Sequence, residues 1–241
     1  MNLAEHLRVL LRMVVTPVGG PRLADRLEQF YGPQADTYDE FRSHLLHGRE
    51  ELLRRLPIPD GGRLLDLGGG TGSNVELIPN RDRLASVTVV DLSPSLLRIA
   101  RDRIARRGWT NAHAVEADAT TYQPDEPVDA VVFSYSLSMM PDWFKAIDHA
   151  YRLLKPGGHV AAVDYYVSRT WPASGRVRHG AIARWFWPWL FAGANVFPSP
   201  DHLPYLEARF AVAHLEERLG RMPYVPWRVP YYLFVGRKVV S

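Results

Sequence analysis

Apolar residues along this chain change their spacing several times, and each change predicts an element. Leu3, Leu7, Leu10, Leu11 and Val14 recur at helical intervals and predict a short amphipathic helix over residues 1–15. Thr16-Pro17 and Gly19-Gly20-Pro21 then break it. Two further helical stretches follow, over 23–30 and 36–56, the second ending at Pro57. Beyond residue 58 the pattern becomes one of short continuous apolar runs, at 63–67, 87–90, 112–117, 128–134 and 159–164. Unbroken runs of this kind fit parallel strands buried on both faces. Between them lie helix signals. Ser93-Pro94 offers an N-cap with proline at the first helical position, followed by Leu96, Leu97, Ala100 and Ile104 up to Gly108. Asp142 opens a stripe of Phe144, Ile147, Tyr151 and Leu154 that stops at Pro156-Gly157. The alternation predicts an α/β fold with a doubly wound, mostly parallel sheet. Runs at 210–216 and 231–237 bring the strands to seven, as antiparallel partners at one edge.

A length of 241 residues is accounted for by one domain. It divides into a helical extension (1–57), a core (58–164), an aromatic and basic insertion where the rhythm fails (165–204) and the terminal strands (205–241). The absence of cysteine removes disulfides, thiol nucleophiles and thiolate metal sites, and the nine histidines are scattered, so no metal is expected. A net charge of +3 is a weak pointer to anionic partners. No apolar run reaches the length of a bilayer span, and Glu5, His6, Arg8 and Arg12 interrupt any secretory signal. A cytoplasmic location is expected.

The chemistry-bearing motif is Asp66-Leu67-Gly68-Gly69-Gly70-Thr71-Gly72, where the first strand enters a glycine turn and then a helix. A dinucleotide loop needs G-x-G-x-x-G, and from Gly68 or Gly70 the last position falls on Ser73 or Val75. Asp66 beside the loop would also repel a pyrophosphate. It would tolerate a cationic sulfonium and ammonium. Asp91 ends the second strand and can accept from ribose hydroxyls; Asp118 follows the third and can accept from an adenine amine; Leu92 can cover the base. Helix and turn capping is the alternative role for the two aspartates. Jointly, at strand ends in this order, they favour a ligand site. From this placement, Asp91→Ala is expected to weaken ligand binding and leave the fold intact.

With these residues the chain resembles the class I S-adenosylmethionine-dependent methyltransferases over about residues 31–164 and the terminal strands. Leu153-Leu154-Lys155-Pro156-Gly157-Gly158 belongs to the same likeness. The resemblance implies S-adenosylmethionine as cofactor, held by Asp66, Gly68, Gly70, Gly72, Asp91, Leu92 and Asp118. Ala119, Ser134, His47 and Tyr38 complete the expected set. The segments Phe30-Tyr31-Gly32-Pro33-Gln34-Ala35-Asp36-Thr37-Tyr38-Asp39, Leu46-His47-Gly48-Arg49-Glu50, Ser199-Pro200-Asp201-His202-Leu203-Pro204-Tyr205-Leu206 and Val229-Pro230-Tyr231-Tyr232-Leu233-Phe234-Val235-Gly236 resemble the betaine-lipid synthases. That likeness implies three N-methylations of diacylglyceryl-homoserine, giving diacylglyceryl-trimethylhomoserine, and a partner synthase that attaches the homoserine. The alternatives are phosphatidylethanolamine or a prenylated quinone as acceptor; no nucleic acid is expected.

The insertion adds independent chemistry. Residues 165–200 hold Arg169, Arg176, Arg178 and Arg184 among Trp171, Trp185, Phe186, Trp187, Trp189 and Phe191, with no acidic residue. Rings and guanidinium groups together suit a membrane–water interface, so peripheral membrane association is expected; a lid on the protein's own core is the other reading. Methyl transfer needs a neutral amine in line with the donor. His47 and Asp164 are candidate bases. Tyr31, Tyr38, Tyr135, Tyr165 and Tyr166 form the pool for an aromatic site that steadies a cationic product. Arg178, Arg184 and Arg42 are candidates for the substrate carboxylate.

Overall fold

The computed structural model describes residues 23–32, 45–222 and 227–239. Helix α1 is Leu23–Tyr31 and α2 is Arg49–Arg55; strand β1 is Arg63–Leu67, β2 Ser86–Asp91, followed by α3, Pro94–Arg107. Then come β3 (Ala112–Glu116), β4 (Val128–Ser134), α4 (Trp143–Leu153), β5 (Leu154–Tyr165), α5 (Ala181–Ala192), α6 (His202–Arg209), β6 (Ala211–Arg221) and β7 (Arg228–Arg237). The seven strands lie in the order β3-β2-β1-β4-β5-β7-β6. All neighbours are parallel except β7, which runs antiparallel to both β5 and β6. The sheet is therefore the expected mostly parallel one with a closing hairpin.

Alternate residues of the strands feed two apolar layers. Leu64, Val87, Val89, Val132, Ala161 and Val163 pack with Leu52 and Leu53 of α2 and Leu97 of α3 on one face. Leu65, Leu67, Val90, Val131 and Phe133 pack with Ile147 and Ala150 of α4 and Leu203 and Leu206 of α6 on the other. Burial on both faces is why these strands lack polar alternation. Helix α3 starts as its sequence dictates: the Ser93 hydroxyl accepts from the Leu96 amide, and Gly108 closes the helix in the left-handed region. Glu28 of α1 also reaches this start, accepting from the hydroxyls of Ser93 and Ser95.

Three expectations are corrected. The glycine turn leads into a short 3₁₀ segment, Ser73–Leu77, rather than an α-helix. Asp142 precedes α4 without a side-chain cap, and Leu154 already belongs to β5. Within its described part, the third expected helix begins only at Arg49, because 45–48 form a turn with Gly48 in the left-handed region. Residues 1–15, the 36–44 part of the third expected helix, Tyr38, Arg42 and the side chain of Tyr31 lie outside the described residues.

Candidate active site

The sheet order reverses at β1, flanked by β2 on one side and β4 on the other. Ligands of open α/β sheets sit beyond the strand ends at such a point. Here the ends of β1, β2 and β4 border a cleft open to solvent. The loop after β1 folds back onto β2, with the amides of Gly68 and Gly69 donating to the Val90 carbonyl at 2.8 and 3.2 Å. Gly68 and Gly70 have φ of 73° and 55°, a region glycine enters without cost. Asp91 then ties this loop to α3: Oδ2 accepts from the Gly70 amide at 2.9 Å and Oδ1 from the Ser93 amide at 2.9 Å.

That double bond load revises what Asp91 does. It lines the cleft and also pins the glycine loop, so its loss is expected to cost stability as well as affinity. Asp91→Ala is expected to cost about 2 kcal/mol of stability through two stranded amides, in addition to weakening donor binding. Asp91→Asn keeps one acceptor oxygen but sets an NH2 group against the other amide, so it is expected to recover at most about half of that stability without the affinity. Scanning calorimetry beside titration with S-adenosylhomocysteine would show whether the two losses part in this way.

Asp66 has a different role from the expected one. It is buried and does not line the cleft. Both its oxygens accept from Nδ2 of Asn74, at 3.1 and 2.9 Å. Asn74 in turn accepts from Nε of Arg49 at 2.9 Å, and the same guanidinium donates to the Ser73 hydroxyl at 2.7 Å. Asn74, Ser73 and Arg49 all line the cleft, so Asp66 orients a polar wall from behind. Burial pushes its carboxyl up to about 6; Asn74 and Arg49 pull it down, and Asp91 adds to the rise.

The folded carboxyl thus holds a proton between the ordinary 3.8 and about 6 that the unfolded chain has released. Stability from this group is present below about 4, is lost as pH rises to about 6 and is flat above, at most about 3 kcal/mol in all. Asp66→Asn is expected to flatten that slope in urea unfolding at pH 4.5 and 7. An unchanged slope would assign the titration to another group.

The far wall comes from β4 and the turn after it. Ser134, Tyr135, Ser136, Met139 and Met140 line the cleft. Tyr135 has φ of 55°, unusual for a residue with a bulky side chain. Its hydroxyl donates to the His47 carbonyl at 2.8 Å, and burial holds the phenol protonated. Ser134 Oγ is enclosed in this wall and has no hydrogen-bond partner among the described residues. Asp164 is not at the cleft. Its oxygens accept from the Ser138 amide at 2.9 Å, the Ser138 hydroxyl at 2.6 Å and the Tyr165 amide at 2.8 Å.

Of the residues expected at the site, Gly68, Gly70, Asp91, Leu92, Asp118, Ala119, Ser134 and Tyr135 come together at the cleft. Gly72 does not line it, nor does His47, whose Nε2 donates to the Arg221 carbonyl at 2.8 Å. Tyr165 stands behind Tyr135, edge-on at 4.7 Å, with its hydroxyl on the Leu45 carbonyl. Tyr166 turns to the opposite layer and donates to Glu217. Arg178 lies over the exposed ring of Trp171, and Arg184 is on α5; neither reaches the cleft. Arg169 and Arg176 are engaged by Asp201 and Glu207, so the insertion's arginines are not all free of partners.

The residue most clearly overlooked is Arg49, the one lysine or arginine among the described cleft-lining residues. A signal existed: a cation in the first turn of a helix opposes the helix dipole, which suggests employment elsewhere. The ensemble fits S-adenosylmethionine on its own chemistry. Asp91, Asp118 and Asp142 suit a cationic ligand with hydroxyl and amine donors, Arg49 suits its carboxylate, and the glycine backbone leaves room beside them.

Comparison with known proteins agrees with this geometry. The family profile described as "Methyltransferase domain" matches residues 38–210. The chain therefore belongs to the methyltransferase-domain family, and its fold is the S-adenosylmethionine-dependent one. Trans-aconitate 2-methyltransferase of Enterobacter sp. (strain 638) is 36% identical over 111 residues, 46% of this chain and 42% of that protein. Ubiquinone/menaquinone biosynthesis C-methyltransferase UbiE of Vibrio parahaemolyticus is 29% identical over 161 residues, 62% of this chain and 61% of that one. The chain thus spans less than two thirds of these curated relatives. Among solved structures, the [4+2]-cyclase SpnF superposes with a TM-score of 0.71 at 20% identity, covering 93% of this chain and 99% of that one. Phosphoethanolamine N-methyltransferase 2 of Haemonchus contortus, in complex with S-adenosyl-L-methionine, gives 0.70 at 17% identity, covering 92% of this chain and 61% of that chain. At such identities the structures speak for the fold, and chemistry has to be argued from the site.

Proposed function

We propose that this chain methylates the amine of a membrane lipid, with diacylglyceryl-homoserine as acceptor and the trimethylated betaine lipid as product. The observation that carries the reading is the aromatic wall of the cleft. Tyr135 lines it, Tyr165 backs it, and Tyr165 stacks on Phe191 of α5 at 4.8 Å, joining the cleft to the exposed tryptophans of that helix. Aromatic faces favour the cationic intermediates and quaternary product of amine methylation.

S-adenosylmethionine supplies an electrophilic methyl group when bound. Asp91 would hold the ribose, Asp118 and Leu92 the adenine, and the glycine loop with Arg49 the amino-acid end. The chain's own contribution is to orient, exclude water and leave the amine neutral in a partly apolar cleft. Of the described candidates, none is a free base at the wall: the Tyr135 phenol stays protonated, and Asp164 and His47 lie behind it.

The likeness to UbiE supports a second reading, methylation of a ring carbon on a prenylated quinone. Purified protein with labelled donor and each acceptor in mixed micelles separates them by mass spectrometry. Three methyl groups on diacylglyceryl-homoserine are expected. A single carbon-bound methyl on a demethylquinone, with the amino lipid untouched, would overturn the first reading in favour of the second.

A further inference from the structure

Helix α5 has two unlike sides. Trp187 and Phe191 are buried in the layer that also holds Tyr135 and Tyr165. Ile182, Trp185 and Trp189, spaced three and four residues apart on the other side, are 78%, 65% and 54% exposed. Trp185 and Trp189 stack on each other at 5.8 Å with rings 9° apart. The apolar surface continues beyond the helix: Phe186 meets Trp227 edge-on at 4.7 Å, and Trp227 is 56% exposed.

Charge sits at the rim of this patch. Trp227 leads directly into Arg228, which pairs across the β6–β7 ladder with Arg221. Directly opposed residues of an antiparallel pair share a face, and like charges there repel. Both arginines are exposed, and neither has an acceptor among the described residues. The pair is therefore unfavourable in isolation, and an anion bound there would relieve it. No residue of the patch is acidic, and residues 165–200 contain no carboxylate at all.

We infer that Ile182, Trp185, Trp189 and Trp227, with Arg221 and Arg228, form a docking surface for a bilayer bearing anionic headgroups. Tryptophan is favoured at the headgroup level, where its ring is half apolar and half wet, and arginine gains from the negative surface potential. A second copy of the chain fits less well. A two-fold interface must complement itself, and this patch would bring arginines to arginines with no carboxylate between them.

The surface also lies close to the cleft by two routes. Through α5, Phe191 stacks on Tyr165, which touches Tyr135. Through β6, the Arg221 carbonyl accepts from His47, whose own carbonyl accepts from Tyr135. Docking would set the aromatic wall of the cleft toward the lipid. This orienting role rests on the lipid-acceptor reading above; the binding itself does not.

The test is co-sedimentation of the whole protein with phosphatidylcholine vesicles, with and without about one third phosphatidylglycerol, followed also by tryptophan emission. Binding to the anionic vesicles with a blue shift is expected. Trp185→Ser with Trp189→Ser should weaken it about tenfold. Arg221→Gln with Arg228→Gln should weaken anionic binding about thirtyfold and leave the neutral vesicles unaffected. Titration with S-adenosylhomocysteine shows that each variant is folded. Absence of binding by the parent protein, or equal binding by folded variants, overturns the proposal. So does a concentration-dependent dimer that the tryptophan variant abolishes without any effect on vesicles. Retained vesicle binding with no methylation of diacylglyceryl-homoserine would sink the acceptor reading and leave the surface standing.

Discussion

Gly69→Ala is expected to abolish measurable donor binding. A Cβ at this position would stand 2.5 Å from Oδ2 of Asp66 and 2.8 Å from Cγ1 of Val89. Neither neighbour can give way. Asp66 is buried and held through both oxygens by Asn74, and Val89 lies in β2 between β1 and β3. The loop must move instead, and with it the amides that Val90 and Asp91 hold in place. Overpacking of this kind costs about 3 kcal/mol, and donor affinity should fall by at least about a hundredfold. Gly61→Ala is the control. Its φ is 72° but nothing lies within 4 Å, so only the backbone penalty of about 1 kcal/mol applies. Calorimetry and titration on the pair separate crowding from conformation. Near-parental affinity in Gly69→Ala would mean the loop has slack that the contacts deny.

Asp164→Ala should be the most destabilising change near the cleft that leaves every cleft-lining side chain in place. Three donors converge on this buried carboxylate, and alanine strands all of them. A loss of about 4 kcal/mol is expected, lowering the thermal midpoint by roughly 10 °C. The consequence for activity is indirect. Ser138 belongs to the Leu137–Met139 turn, which carries Met139 to the cleft wall. Asp164→Asn should retain part of the stability and an unchanged pH profile of kcat/KM. If Asp164→Asn instead kept its midpoint and lost the acidic limb of that profile, Asp164 would be acting as a base and the positioning role would be wrong.

The misplacement of Asp164 shows where sequence reasoning stops. Its position at the end of a buried strand was readable, because 159–164 is a continuous apolar run. Which way a side chain turns at that end depends on the turn packed against it, and no local pattern encodes this. Asp91, Asp118 and the glycines were legible because strand, turn and carboxylate lie within a few residues of one another. Arg49 was not, since it reaches Ser73 and Asn74 across 24 and 25 residues of sequence. Helix α5 was hidden for another reason. Its 12 residues include Pro188 and are apolar on nearly every side, so no polar face marked the helical period. The same excess of rings that obscured the helix announced the exposed surface.

The position of β7 bears on how the chain reaches this form. It comes last of the seven strands in sequence, yet lies between β5 and β6 in space. Tyr232, Leu233 and Phe234 are among its fully buried residues. A polypeptide emerging from the ribosome therefore exposes the edge of β5 for the whole time that α5, α6 and β6 are being synthesised. Such an edge invites pairing with another chain. Folding here is expected to commit late, when β7 slides between strands already made, and a nascent chain stalled before residue 228 is the species from which aggregation would start.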